Sequence, residues 1–96
     1  MMKIYVDIDG TICNTENGDY NTSSPLPRNI KKINALYDKG HHIVYYTARG
    51  TRSNKDYKLL TLQQLEQWGC KFNHLKMGKP DFDLLIDDKT KRIEEI

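Results

Sequence analysis

Cysteine is scarce in this chain, with only Cys13 and Cys70 present. Two cysteines are too few for a disulfide framework, so two free thiols in a reducing cytoplasm are expected. A dominant charge of one sign is also missing. Fifteen basic against thirteen acidic residues leave a net +2, short of the strongly basic face that nucleic-acid binding requires. Long apolar runs are lacking too. The longest, Ile43 to Tyr46, falls far below the roughly 20 residues of a membrane span. Asp7 interrupts the N-terminal segment before it reaches the apolar length of a secretory signal. There is no internal repeat and no low-complexity linker.

The 96 residues are read as a single domain, 1–96. A chain of this size buries only about 60–65% of the surface exposed when unfolded. Any pocket is therefore shallow, or is completed by another subunit or by the substrate.

Lys3 to Ile8 reads as a strand, because β-branched Ile4, Val6 and Ile8 alternate with Tyr5 and Asp7. Residues 13–26 are polar and form a loop or short flap, turning at Asn17-Gly18. Pro27 opens a helix to about Lys39, with Ile30, Ile33 and Tyr37 on one face. His41 to Thr47 is a second strand. A second helix covers about Lys55 to Trp68, on which Tyr57 and Trp68 are core positions. A third strand lies within Lys71 to Leu75 and a fourth at Phe82 to Ile86. Strands separated by helices predict a mainly parallel α/β sheet with helices on both faces.

In such sheets ligands bind beyond the carboxyl ends of the strands. Asp7 and Asp9 end the first strand, Thr47 the second, Lys79 follows the third, and Asp87-Asp88 end the fourth. Gathered carboxylates raise one another's pKa unless compensated. Asp7, Asp87 and Asp88 are hard oxygen donors suited to Mg²⁺. His41, His42 and His74 lie away from that edge and are read as solvated. Beside such a cation a carboxylate can attack phosphorus, and Asp7 is the candidate nucleophile. Asp9 can protonate the leaving alcohol and then deprotonate water. Gly10 lets the backbone approach phosphate. Thr47 and Lys79 can hold the phosphoryl oxygens. One of Arg49 and Arg52 is read as a contact to substrate anion at an open mouth; the alternative is a solvated loop or a salt bridge to Asp56. A thiol nucleophile at Cys13 would be redundant beside Asp7.

The set Asp7-Ile8-Asp9-Gly10-Thr11, Thr47, Lys79 and Asp87-Asp88 resembles the haloacid dehalogenase superfamily over nearly the whole chain. The resemblance implies a minimal Rossmann-like core without a cap domain, with strand order four-one-two-three. It implies Asp7 as nucleophile, Asp9 as general acid/base, Thr47 as phosphate anchor and Lys79 as the steadying cation. Gly10, Thr11, Ala48 and Arg49 join Thr47 and Lys79 as phosphate-binding candidates. Mg²⁺ would be held by Asp7, the Asp9 carbonyl, Asp87 and Asp88. Tyr46-Thr47-Ala48-Arg49-Gly50, Gly78-Lys79-Pro80 and Ile86-Asp87-Asp88-Lys89 look like small bacterial and phage proteins labelled capsule or polysaccharide biosynthesis phosphatases. That implies a small sugar-phosphate substrate, with no membrane partner.

Other readings are a phosphatase of nucleotides or nucleic-acid 3′-ends, a receiver-like phospho-accepting module, and an inactive binding protein. A receiver carries its acidic pair after the first strand, whereas here the pair comes last. Near-neutral charge disfavours a nucleic-acid substrate. Without a cap, a second copy of the chain is one way to cover the open site.

Overall fold

The computed structural model describes residues 1–96. The main sheet is parallel and has three strands: β1 (Lys3–Val6), β4 (His42–Tyr46) and β5 (His74–Lys76), in the order β1-β4-β5. Between β1 and β4 lie a small hairpin, β2 (Cys13–Asn14) with β3 (Ser24–Pro25), and the helix α1 (Pro27–Asp38). Helix α2 (Lys58–Gln67) joins β4 to β5. The mixed α/β class and the parallel sheet agree with the sequence reading. Two features of that reading do not survive.

The segment Phe82 to Ile86 forms no strand and is exposed throughout. The Lys79 amide donates to the Thr47 carbonyl at 3.0 Å, which fastens the chain to the carboxyl edge of the sheet. A parallel fourth strand would have to start at the opposite edge. The sheet therefore stops at three strands, and the order four-one-two-three is not formed within the chain. Nor do the helices cover both faces. Two successive right-handed crossovers running the same way along a sheet put both helices on one face. Ile30 and Ile33 from α1 and Leu65 from α2 accordingly share one cluster with Val6, Ile43 and Tyr45.

Register sorts the other side chains. Lys3 pairs with His42 and Tyr5 with Val44, while Val44 pairs with His74 and Tyr46 with Lys76. These residues occupy the second face, where Tyr5 and Tyr46 meet edge-on at 5.4 Å and the Lys76 ammonium lies over both rings.

Element boundaries shift for local reasons. The first strand stops at Val6 because the Ile8 carbonyl accepts from the amides of Thr11 and Ile12, at 3.0 and 2.9 Å, and so begins a turn. Gly10 sits in that turn at φ +85°. Helix α2 starts at Lys58 because the Asp56 carboxylate accepts from the Lys58 amide at 3.0 Å. Strand β5 starts late because Asn73 precedes it. Its amide donates to the Ile43 carbonyl, and its side-chain oxygen accepts from the Ile43 amide.

Candidate active site

Three of the four expected strand ends converge. Asp7 follows β1, Thr47 follows β4, and Lys79 follows β5. The Lys79 ammonium contacts Asp7 Oδ1 at 3.1 Å, and the Thr11 hydroxyl donates to Asp7 Oδ2 at 2.9 Å. Each oxygen of the candidate nucleophile thus has one donor, and the carboxylate stays part-exposed. Asn29 on α1 steadies this arrangement by donating its side-chain amide to the Thr11 carbonyl at 2.8 Å.

Thr47 is buried. Its hydroxyl accepts from the Arg49 amide at 3.1 Å, leaving its own hydrogen to donate. Gly10 supplies the left-handed turn, yet its amide is already bonded to the Cys13 carbonyl at 2.8 Å. Thr11 orients Asp7, and Ala48 lies half-buried between Thr47 and Arg49.

Arg49 does not line an open mouth. It is only 2% exposed and forms a fork on Asp9: Nε to Oδ2 and Nη2 to Oδ1, both at 2.9 Å. Its remaining nitrogen donates to Gln64 Oε1 at 2.6 Å and to the Thr61 hydroxyl at 3.2 Å. The Tyr20 ring lies 4.8 Å from the guanidinium carbon. Asp9 also accepts from Thr15 at 2.5 Å. Burial pushes the Asp9 carboxyl up, but the bonds from Arg49 and Thr15 and the charge of Arg49 outweigh it. Asp9 is therefore held below the usual carboxylate range. Burial pushes the neighbouring Cys13 thiol up to about 11, so it is protonated and inert.

The sequence reading missed Thr15, Asn29, Thr61 as a polar partner, and Gln64. A signal existed for two of them: Thr61 and Gln64 lie three apart on the buried side of α2 with Leu65. Arg52 is exposed and pairs with Asp81 at 3.6 Å rather than with Asp56.

Asp87 and Asp88 are not brought to Asp7. Both are exposed, and the Asp87 carboxylate accepts from the Lys89 amide at 3.0 Å, which lowers its pKa. No group of three or more His, Cys, Asp or Glu side chains is arranged to hold a metal ion. Within one chain the donor set expected for Mg²⁺ is thus split, and the residues do not fit the ion. A hollow of about 450 Å³ beside Ser23, Pro27, Gln64 and Trp68 lies on the flap side, and its lining includes none of Asp7, Thr47 and Lys79.

Residues 4–68 match the model of a family described as haloacid dehalogenase-like hydrolases. A crystal structure of a structural-genomics target from Vibrio cholerae superposes with a TM-score of 0.90 at 26% identity. The match covers 99% of this chain and 86% of that one. No curated protein matches the chain. No helix is long and apolar enough to cross a membrane. The strand-end Asp7, the Asp9 turn and the matched residues 4–68 together make this chain a member of the haloacid dehalogenase-like hydrolase family.

Proposed function

We propose that this hydrolase cleaves phosphomonoesters through an aspartyl-phosphate on Asp7. The observation that carries the reading is the pair of donors on Asp7, the Lys79 ammonium at 3.1 Å and the Thr11 hydroxyl at 2.9 Å. They aim the carboxylate and leave it part-exposed at the sheet edge. An Asp7 oxygen attacks phosphorus, and the phosphorus–oxygen bond breaks with its electron pair going to the leaving oxygen, which takes a proton from the protonated fraction of Asp9 and leaves Asp9 ionised. The Lys79 charge offsets the negative charge of the phosphoryl oxygens beside Asp7. Thr47 offers its hydroxyl hydrogen to the same oxygens. In the second half, Asp9 takes a proton from water as the water oxygen attacks phosphorus, freeing Asp7 and inorganic phosphate.

Asp9 suits that base role because Arg49 keeps it ionised. Protonating the leaving alcohol in the first half is correspondingly harder. Mg²⁺ is the proposed cofactor, but no step is assigned to it within a single chain, where its ligands do not meet. The proposed substrate is a small sugar phosphate, met in the cytoplasm.

Release of phosphate from an aryl phosphate, with Mg²⁺ and then with excess chelator, tests the reading. Activity should stop with chelator and in Asp7→Asn. Full activity in Asp7→Asn removes Asp7 as nucleophile. A panel of sugar phosphates, nucleotides and 3′-phosphorylated oligonucleotides then ranks substrates.

A further inference from the structure

We infer that the site is completed by a second copy of the chain, whose Phe82–Asp88 arm docks as a strand on the free edge of β1. The catalytic consequence rests on the Asp7 reading above, whereas the docking itself does not.

Two unpartnered features are on the molecule. Strand β1 pairs only with β4, so its other edge offers open backbone donors and acceptors. The arm carries Phe82, Leu84, Leu85 and Ile86 at 44–89% exposure, an apolar run that a lone soluble chain rarely presents. The arm is tied at both ends. Lys79 is fastened at the site, and Ile93 packs against the core while Lys32 Nζ donates to its carbonyl at 3.2 Å. The superposition on the Vibrio cholerae chain spans 99% of this chain and so takes in the arm.

The pattern of the arm matches the β1 edge in one register. With Asp87 level with Asp7, Leu84 and Ile86 fall on the same face as Ile4 and Val6, which pack into the core. Asp83 and Leu85 then join Lys3 and Tyr5 on the outer face. Sliding by one residue, to level Asp88 with Asp7, turns Leu84 and Ile86 outward.

A chain's own arm cannot reach that register. Asp83 would lie level with Lys3. The Lys79 amide is bonded to Thr47, and Thr47 is level with Ile8 because Val6 pairs with Tyr45. The five residues from Ile8 back to Lys3 rise about 16 Å along the strand. Four residues from Lys79 to Asp83 span at most about 14 Å when fully extended. The sideways step past β1 and the reversal of direction add to the deficit. A parallel strand that presents Asp87 at Asp7 must therefore come from another chain. Two copies exchanging arms about a twofold axis satisfy both edges at once, as an isologous dimer does. Each site then draws Asp7, Thr47 and Lys79 from one protomer and Asp87 and Asp88 from its partner.

Sedimentation and a mixing experiment test this on the full chain. The wild type should sediment as a dimer. The double variant Leu84→Asp with Ile86→Asp should sediment as a folded monomer, because both side chains are exposed in the single chain, and its helical circular dichroism should be retained. Asp7→Asn and Asp87→Asn, each inactive alone, are unfolded together and refolded. Half the dimers are then mixed and each holds one intact site, so about a quarter of wild-type activity should return. A monomeric wild type, or a dimer indifferent to the double variant, overturns the docking. An active wild type with no recovery on mixing overturns completion in trans. A wild type inert towards every phosphate ester, yet dimeric and split by the double variant, upholds the docking and removes the phosphatase reading instead.

Discussion

Arg49 grips Asp9 through two nitrogen–oxygen contacts of 2.9 Å, although forty positions separate them in the chain. The guanidinium is fully buried, and its other donors end on Thr61 and Gln64. A carboxylate at the end of β1 is thereby locked to α2. This pair links stability to the chemistry of the site.

Replacing Arg49 with Met should cost about 3–5 kcal/mol, the range for breaking one partner of a buried pair. The folded pKa of Asp9 is depressed from 3.8, so the stability it contributes is present above that value. It is lost as pH falls through the folded pKa. Urea unfolding at pH 7 and pH 3 should show a smaller acid-side loss in Arg49→Met than in the wild type. Equal losses would mean that the pair does not couple to folding.

The same lock should sort substrates by leaving group. Aryl phosphates leave without help, whereas an alkyl phosphate needs the proton of Asp9. That proton becomes more available as pH falls toward the depressed Asp9 pKa. The ratio of alkyl to aryl turnover should therefore rise between pH 7 and pH 5. A flat ratio would argue that Asp9 does not donate to the leaving group.

Thr11→Val removes the donor on Asp7 Oδ2. A hydrogen bond to a charged group contributes about 1.5–3 kcal/mol, so kcat should fall roughly tenfold or more. Thr11→Ser should restore most of the rate. Equal loss in both variants would point to packing of the methyl group instead.

Gly50 and Gly10 separate crowding from backbone strain. Both have positive φ, +84° and +85°. A Cβ on Gly50 would meet the Lys55 carbonyl oxygen, with the Tyr57 ring also close, whereas on Gly10 it meets open space. Gly10→Ala should cost only the left-handed penalty of about 1–2 kcal/mol. Gly50→Ala should cost clearly more, read as a larger fall in Tm. Equal falls would show that the Lys55 loop yields.

Tyr45 is fully buried, and its hydroxyl has no hydrogen-bond partner. Burial, chiefly, and the Cys70 thiol beside it keep the phenol pKa well above its ordinary value. An unsatisfied buried hydroxyl costs about 1–3 kcal/mol. Tyr45→Phe should therefore leave the protein as stable or raise its Tm. A fall would reveal a partner for the hydroxyl.

Local pattern alone settles much of this protein. Alternation of Ile4, Tyr5 and Val6, the stripe of Ile30 and Ile33, and the apolar centre of His42–Tyr46 are short-range signals, and each produced its element. Asp7, Thr47 and Lys79 were legible for the same reason, since each closes or follows a recognisable strand. Arg49 was not. An arginine in a polar loop looks solvated until Asp9, Thr61 and Gln64 arrive from other elements to satisfy it. Phe82 to Ile86 shows the converse: the residues read as a strand, and Asp87-Asp88 read as its catalytic end. Strand pattern states what a segment can pair with, but pairing also requires an edge within reach. The tertiary structure fixes Lys79 at the wrong end of the sheet for its own arm, and so leaves that edge unpaired within the chain.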